Sequence, residues 1–191
     1  MRLFANQGYH ATTNAMIAEA SDLTRGAMLY HFSDREELVA GVVPHIDLAR
    51  AKLFEAAAAG SWERGGAAMA GSDAAERAID AYWALLHEEP FLAFGELEHA
   101  ARTDPMLRSR LADAQSAFDH AQVGARFGAL AQAGLDPRYQ ASRDLARFLL
   151  EGLAKGAMTY DEADRRRRLL AVVKRAVHML NRKGDVHDLW G

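Results

Sequence analysis

The sequence predicts an all-α protein with about nine helices, because its apolar residues recur at spacings of three and four. Alanine, leucine, glutamate and arginine dominate, and no run alternates apolar and polar residues as strands typically do. Half of the 191 residues are hydrophobic, which is enough for a sizeable core. No stretch approaches the roughly 20 apolar residues of a membrane span, so we expect no membrane partner.

Cysteine content and charge narrow the class of protein further. The chain has no cysteine, which excludes disulfides, thiolate metal ligands and a cysteine nucleophile. This suits a reducing cytosol, and the N-terminus shows no signal-peptide pattern, so we expect a cytoplasmic protein. The net charge is −3, so contact with nucleic acid has to come from a local patch or from backbone groups.

The boundaries of the first three helices are predicted from single residues. Gly8 ends a short first helix, and Thr12–Thr13 begins the second. Residues 21–23 make a tight break, after which Thr24 caps a third helix that runs to about Phe32. The second and third helices, joined by this break, form a helix-turn-helix.

The fourth helix is predicted to begin after Ser33 or Asp34, because a glutamate follows each of them by three residues. We expect it to run to about Ala58 and to bend at Pro44, since proline removes a backbone hydrogen bond. The glycine-rich residues 60–71 are the best candidate for a flexible connection.

Further helices are expected from caps and apolar spacing. One starts near residue 73, and a short one covers 91–102. Asp104 and Pro105 begin a long helix that ends near Gly134. Two C-terminal helices carry the apolar stripes described below.

The third helix has a composition suited to close approach. Gly26 costs about 1 kcal/mol relative to alanine inside a helix, so a helix built only for stability would avoid it. Gly26 and Ala27 keep the surface low, and Arg25 can reach guanine or a phosphate. Tyr30 and His31 add polar tips, while the threonines at both helix starts expose backbone N–H groups that suit phosphates.

The order of residues in this region resembles the DNA-binding domain of TetR-family transcriptional regulators. The matching positions are Leu3–Phe4, Gly8–Tyr9, Thr12–Thr13, Ile17–Ala18, Ala20, 23–27, His31–Phe32 and 35–38. The resemblance covers about residues 1–45 and implies a DNA-binding head there. Residues 46–191 would form a helical ligand-binding and dimerisation domain, although they resemble the family only in being helical and in length.

The resemblance also implies roles for individual residues. The threonines would contact phosphates, Arg25, Ala27 and Tyr30 would face the major groove, and His31 and Arg35 would hold the DNA backbone. The complete DNA-binding set is Thr12, Thr13, Thr24, Arg25, Gly26, Ala27, Tyr30, His31 and Arg35. The small core that fixes the two helices would be Ile17, Ala20, Leu23, Met28 and Phe32.

The head departs from the family's pattern at several points. Asp22 replaces the usual glycine of the turn, and aspartate tolerates a left-handed conformation better than most residues. Leu29 replaces a tyrosine used against phosphate, for which Tyr30 substitutes imperfectly. The chain also starts inside what should be the first helix, so we expect the head to lack that helix's first turns and a basic arm.

The charge of the head predicts weak DNA binding unless the protein is a dimer, because non-specific affinity depends on neutralised phosphates. Basic and acidic residues balance over 2–35. They are Arg2, Arg25 and Arg35 against Glu19, Asp22 and Asp34.

Aromatic residues of the second domain are candidates for an effector pocket, since ligand pockets are mostly apolar with a few polar groups. The predicted set is Tyr82, Trp83, His87, Phe91, Phe94, Phe118, Gln122 and Phe148. The alternative is ordinary core, because apolar residues at helical spacing most often serve packing. We expect a small apolar effector.

The last two helices carry apolar stripes that predict a homodimer interface. The predicted set is Leu145, Leu149, Gly152, Leu153, Gly156, Leu169, Val173, Val177 and Leu180. The two glycines, four residues apart, allow close helix approach, and paired stripes suit a two-fold four-helix interface. The alternative is packing within one chain.

Two other patterns are assigned no special chemistry. Three acidic residues each lie four residues before an arginine of the run 165–168, which favours a solvated helix face over a nucleic-acid patch. The pairs are Asp161–Arg165, Glu162–Arg166 and Asp164–Arg168. Glu96 and His99 are spaced as in carboxylate-bridged metal bundles, but the second copy that such a site needs is missing. We therefore expect that the protein binds no metal and no cofactor and is not an enzyme.

The predicted function is a ligand-responsive transcriptional repressor, released from a palindromic double-stranded DNA operator by its effector. Two heads on one dimer would lie in successive major grooves, about one helical turn apart. The first alternative is a helical ligand-binding or scaffold dimer whose shortened head no longer binds DNA. The second is a small helical-bundle metalloenzyme.

Overall fold

The computed structural model describes residues 1–65, 72–124 and 137–183. These ranges contain nine α-helices and no strand, so the all-α prediction is confirmed. The helices are α1 Arg2–Gln7, α2 Asn14–Ala20, α3 Arg25–His31, α4 Arg35–Gly65, α5 Ser72–Leu85, α6 Glu89–Ala101, α7 Pro105–Gly124, α8 Pro137–Ala157 and α9 Ala163–Lys183. The helix-turn-helix consists of α2 and α3.

The chain divides into two compact units. Unit 1 contains Met1–Leu53 and Glu88–Ala121, and unit 2 contains Phe54–His87 and the part of the chain that begins at Gln122. Unit 1 therefore joins α6 and most of α7 to the predicted head, because α1 packs against α6. The functional boundary between residues 45 and 46 stays a prediction.

Unit 1 has a continuous apolar core built on three parts of the sequence. The apolar face of α4 packs against α1 and the loop that follows α1. It also packs against α6 and α7. The buried members are Phe4, Tyr9, Val39, Val43, Ile46, Ala93, Phe94, Leu97, Ala100, Ala101, Leu107 and Leu111. The first helix of the head is thus packed on α6, which begins more than 80 residues later in the sequence.

The helix starts follow the sequence closely, because the capping groups are local. Thr13 and Thr24 accept hydrogen bonds from the backbone N–H groups of the third residue on, at 3.3 and 3.1 Å. Asp34 accepts from the Glu37 N–H, and the Glu37 carboxylate accepts from the Ser33 N–H, both at 2.8 Å. Asp34 is therefore the cap of α4, one of the two predicted alternatives.

The fourth helix is longer than expected. It continues to Gly65 with Pro44 inside it, whereas the sequence predicted an end near Ala58. The predicted glycine-rich connection of residues 60–71 therefore loses residues 60–65 to α4. Its remaining residues, 66–71, lie outside the described ranges. At the other predicted boundary, the Asp104 carboxylate accepts from the Leu107 N–H at 3.0 Å, which confirms the cap of α7. The predicted end near Gly134 also lies outside the described ranges.

Unit 2 is built on α5, α8 and α9, which pack against one another. Its buried apolar residues include Ala75, Ile79, Tyr82, Leu85, Ala146, Leu150, Ala154, Val173, Val177 and Leu180. Polar contacts also join its helices. The Tyr82 hydroxyl donates to Glu151 of α8 at 2.8 Å, and Lys174 of α9 donates to Asp80 of α5 at 2.7 Å.

Candidate functional site

The outer face of α3 is open to solvent. Tyr30 is 88 % exposed, although its ring contacts His31 at a centroid distance of 5.5 Å. Arg25, Gly26 and His31 are also exposed. This face of α3 is therefore accessible to a macromolecular partner.

The opposite face of α3 anchors it to the protein. Met28 is 2 % exposed and packs with Ala18 of α2 and Leu38 of α4. Ile17, Phe32 and Val42 pack partly against this small core. The sequence predicted that Ala20 and Leu23 belong to the core between α2 and α3, and this was wrong. Both residues are exposed, because other faces of the two helices pack together.

The turn between α2 and α3 has the left-handed residue that the sequence predicted. Asp22 has a φ of 54°, and the family pattern that the head resembles has glycine at this position. Aspartate can adopt this conformation because its short polar side chain adds little steric cost. The two helices therefore keep the compact turn without glycine.

The threonines at the helix starts have different environments. Thr13 and Thr24 are exposed and use their hydroxyls as helix caps. Thr12 is completely buried, and its hydroxyl donates to the carbonyl of Gly8 at 2.7 Å. The prediction that the Thr12 side chain contacts phosphate was wrong, because this side chain stabilises the loop between α1 and α2 instead.

Arg35 was predicted to contact DNA, and the structure gives its guanidinium other partners. One nitrogen donates to the carbonyl of Thr12 at 2.7 Å, and another donates to the carbonyl of Tyr9. The guanidinium carbon also lies 4.2 Å from the centroid of the Tyr9 ring. Sequence patterns could not reveal these partners, which lie 23 and 26 residues away.

Three of the predicted pocket residues surround a buried arginine in unit 1. Arg50 is 3 % exposed, and its guanidinium carbon lies 3.7, 4.1 and 5.3 Å from the ring centroids of Phe94, Phe118 and Phe91. It donates to Gln115 at 3.0 Å and lies 3.6 Å from the Asp47 carboxylate. We call these residues the Arg50 cluster: Asp47, Arg50, Phe91, Phe94, Gln115 and Phe118. Arg50 was not predicted from the sequence, where its only signal is a cation on an otherwise apolar helix face.

The remaining predicted pocket residues belong to unit 2. Tyr82 is buried and bonded to Glu151, while His87 is exposed and lies 2.8 Å from the carbonyl of Trp83. Phe148 is 65 % exposed on α8, so its assignment to a pocket within the chain was wrong. The Gln122 side chain lies outside the described part of the structure.

Burial alters the pKa of Asp47, the carboxylate of the Arg50 cluster. Desolvation raises this pKa from its ordinary value of 3.8, and the nearby Arg50 charge opposes the rise. A raised folded-state pKa means that ionised Asp47 costs stability, and that this cost grows as the pH rises from 3.8 through the folded-state pKa.

The stability difference between Asp47→Asn and the wild type should therefore shift in favour of the variant as the pH rises, on top of a constant cost from the loss of the Arg50 partner. Denaturant unfolding between about pH 4 and pH 7 measures the difference, since the ordinary carboxyl pKa lies at the lower end of this range. Asp144→Asn is a matched control on an exposed pair with Arg143, and we expect its effect to be small. A difference between wild type and Asp47→Asn that is the same at every pH would contradict the assignment.

The predicted dimer residues divide into an exposed and a buried group. On α8, Leu145 and Leu149 are 36 % and 43 % exposed, and Gly152 and Gly156 are also exposed. On α9, Leu169 is 38 % exposed. Val173, Val177 and Leu180 are buried, so their assignment to an interface between chains was wrong, and Leu153 is half-buried.

Exposed apolar residues form one face on each of the two C-terminal helices. The helical spacing places them together, because residues three, four and seven apart share a face. On α8 they are Leu145, Phe148 and Leu149, and on α9 they are Leu169, Val172 and Met179. A Cβ added at Gly152 or Gly156 would meet nothing within 4 Å, so no packing within the described residues requires these glycines.

The arginine run at the start of α9 forms ion pairs, although not with the predicted partners. Arg166 contacts Asp161 and Arg167 contacts Asp164, at spacings of five and three residues. A groove between α5 and α9 is lined by these two arginines and by Lys174, which pairs with Asp80. The charges of this face are therefore balanced by carboxylates, as expected for a solvated helix.

The described residues contain no group of three or more histidine, aspartate and glutamate side chains placed to hold a metal ion. Among the helices of the described ranges, none is long and apolar enough to cross a membrane.

The N-terminal part of the chain is similar to a known protein family. Residues 1–42 match the family model described as bacterial regulatory proteins of the tetR family. This range contains α1, α2, α3 and the beginning of α4, and it includes the exposed face of α3 and its buried anchor. No curated protein and no solved structure gives a significant match to the chain.

Proposed function

We propose that this protein, a DNA-binding transcriptional regulator of the TetR family, acts as a homodimeric repressor that a small apolar effector releases from a palindromic operator. The single observation that carries the DNA-binding part is the face of α3. Arg25 and Tyr30 are exposed on this face, while Met28 on the opposite face is buried and anchors the helix. A regulator that acts on bacterial DNA works in the cytoplasm, and we propose that location here.

The proposed contacts follow from the environment of each residue. Arg25 and Tyr30 would reach base edges in the major groove, with Gly26 and Ala27 permitting close approach. Thr13 and Thr24 would bring the first backbone N–H groups of α2 and α3 to phosphates. His31 would contact the DNA backbone, and Thr12 and Arg35 are left out of the contact set because their side chains serve the loop between α1 and α2.

The exposed apolar faces of α8 and α9 support a homodimer. A second copy of the chain would cover Leu149 and Phe148, and Gly152 would allow the two copies of α8 to approach closely. Such a two-fold interface would present two heads to successive major grooves, which suits a palindromic operator. The dimer also compensates for the neutral charge of a single head, because two heads double the number of phosphates contacted.

The effector part of the proposal concerns a shift between two conformations. A ligand changes operator affinity only if it binds one conformation better than the other. We propose that a small apolar molecule binds within residues 46–191 and shifts α4, which is one helix from Arg35 in the head to Gly65.

Arg25→Ala should weaken binding to the operator by about tenfold or more, since a good arginine–guanine contact is worth about 1–3 kcal/mol of discrimination. A gel-shift titration on the DNA that flanks the coding region measures this at low salt. Arg167→Ala is the matched control, because it removes the same charge from an exposed position in unit 2. Equal affinities of Arg25→Ala and the wild type would contradict the proposed role of α3.

The alternative function is a helical ligand-binding or scaffold dimer without DNA contact. The engagement of Arg35 within the protein favours it, because only Arg2 and Arg25 then remain among the arginines of 2–35 that neutralise phosphates. The same titration separates the two functions, since a scaffold dimer would not shift any flanking DNA. In a reporter strain, the proposed repressor should lower expression from the flanking promoter, whereas an activator would raise it.

A further inference from the structure

We infer that Arg35 is a positioning residue for DNA binding, which fixes the start of α2 and makes no phosphate contact itself. Arg35 is the first residue of α4 and is half-buried. Its guanidinium lies between the backbone carbonyls of Tyr9 and Thr12 and against the Tyr9 ring. The inference rests on the DNA-binding role of the head and gives this side chain a role different from the one that the family resemblance implies.

The contacts of Arg35 use the geometry that distinguishes arginine from lysine. A guanidinium is planar and carries donors along its edges and a face that stacks on aromatic rings. Here, two of its nitrogens donate to carbonyls while its carbon lies 4.2 Å from the ring centroid of Tyr9. An arginine held on two edges and one face has little freedom to turn toward a phosphate outside the protein.

These contacts close the loop between α1 and α2. Inside the loop, the buried Thr12 hydroxyl donates to Gly8 at 2.7 Å and lies 3.3 Å from the carbonyl of Leu3. Outside it, Arg35 binds the Thr12 carbonyl, which belongs to the peptide unit that leads into Thr13. Because Thr13 caps α2, Arg35 fixes the orientation of the first turn of this helix.

The first residues of α4 therefore hold the helix-turn-helix at two places. Leu38 packs with Met28 and Ala18 in the small core, and Arg35 holds the loop that precedes α2. The core fixes where α2 and α3 lie, and the Arg35 contacts fix the end of α2 whose backbone N–H groups are proposed to face phosphates. Loss of Arg35 should loosen that end while the core stays intact.

Salt dependence distinguishes positioning from contact. Affinity falls as salt rises, and each phosphate contact adds about 0.9 to the magnitude of the slope of log affinity against log salt concentration. Removing one contact per head therefore reduces the magnitude of a dimer's slope by about 1.8. A positioning residue lowers the affinity and leaves the slope unchanged. We expect Arg35→Gln to bind operator about tenfold more weakly, as for the loss of a charge-assisted hydrogen bond, with the wild-type slope.

The experiment has one arm with DNA and one without. Gel-shift titrations of wild type, Arg35→Gln and Arg25→Ala between about 50 and 200 mM salt give the slopes. Hydrogen exchange of the free proteins reports the amides of residues 13–16. We expect faster exchange there in Arg35→Gln with an unchanged slope, and unchanged exchange in Arg25→Ala, which removes a proposed base contact.

A slope for Arg35→Gln that is smaller in magnitude than the wild-type slope by about 1.8 would overturn the inference, and so would unchanged exchange at residues 13–16. If the wild type binds no DNA, the proposed function fails, and the exchange measurement still decides whether Arg35 orders the start of α2. Should Arg35→Gln fold poorly, Arg35→Lys tests the same point. An ammonium group is too compact to bind both carbonyls while stacking on Tyr9, so the same faster exchange is expected.

Discussion

Arg50→Met should lower the free energy of unfolding by about 3 kcal/mol, because removing one partner of a buried ion pair leaves the other charge uncompensated. Arg50 is 3 % exposed, and its substitution would leave the Asp47 carboxylate without the nearest cation. The guanidinium also contacts three phenylalanine rings, and such contacts strengthen when the cation is removed from water. Denaturant unfolding followed by circular dichroism gives the change.

Two further variants separate charge from packing in the Arg50 cluster. Asp47→Asn combined with Arg50→Met should recover much of the lost stability, because an apolar replacement of a complete ion pair is often tolerated. Arg110→Met is the matched control on α7, where the arginine is exposed, and we expect a change within about 0.5 kcal/mol. Wild-type stability of Arg50→Met alone would show that the cluster does not depend on its cation.

Leu149→Glu should convert the proposed dimer into a monomer and reduce operator affinity by two or more orders of magnitude, since joining two heads increases affinity by about 10²–10⁴. Leu149 is 43 % exposed on α8, where a second copy would bury the new charge without a partner. Sedimentation equilibrium gives the oligomeric state. Leu48→Glu is the matched control, because Leu48 is 55 % exposed on α4, away from the C-terminal faces in the sequence.

Gly152→Ala tests the same interface with effects of opposite sign on the monomer and the dimer. An added Cβ at Gly152 meets nothing within 4 Å, and alanine favours a helix over glycine by about 1 kcal/mol, so the monomer should become more stable. If two copies of α8 approach each other at this glycine, the dimer should dissociate at a higher protein concentration. A monomer that gains stability while dimer affinity stays constant would argue that the interface lies elsewhere.

The buried members of the α9 stripe show why periodicity alone did not locate the interface. Apolar spacing identifies which residues share a helix face, but a helix packed between a neighbour and a partner has two such faces. Val173 and Val177 face the inside of unit 2, whereas Val172 and Met179 lie on the exposed side. The exposure of Phe148 has the same origin, since its spacing from Leu145 is compatible with either core or surface.

Local chemistry explains the features that the sequence by itself determined. Thr13, Thr24 and Asp34 satisfy backbone groups within three residues, so the starts of α2, α3 and α4 could be read without any tertiary information. The left-handed Asp22 was expected from the resemblance, whose pattern has glycine at this position, and aspartate tolerates such a conformation. Ordered matches at these short-range positions were enough to predict the helix-turn-helix, and residues 1–42 match the tetR-family model.

Only the tertiary structure decided the roles of residues whose partners lie far along the chain. Arg35 binds carbonyls more than 20 residues away, and Arg50 reaches Gln115 across 65 residues. A long cationic side chain can reach any surface within several ångströms, so its sequence neighbours do not indicate whether it contacts DNA, a carbonyl or an aromatic ring. The sequence therefore determined where α2 and α3 begin and turn, and long-range contacts decided which side chains around these helices stay exposed.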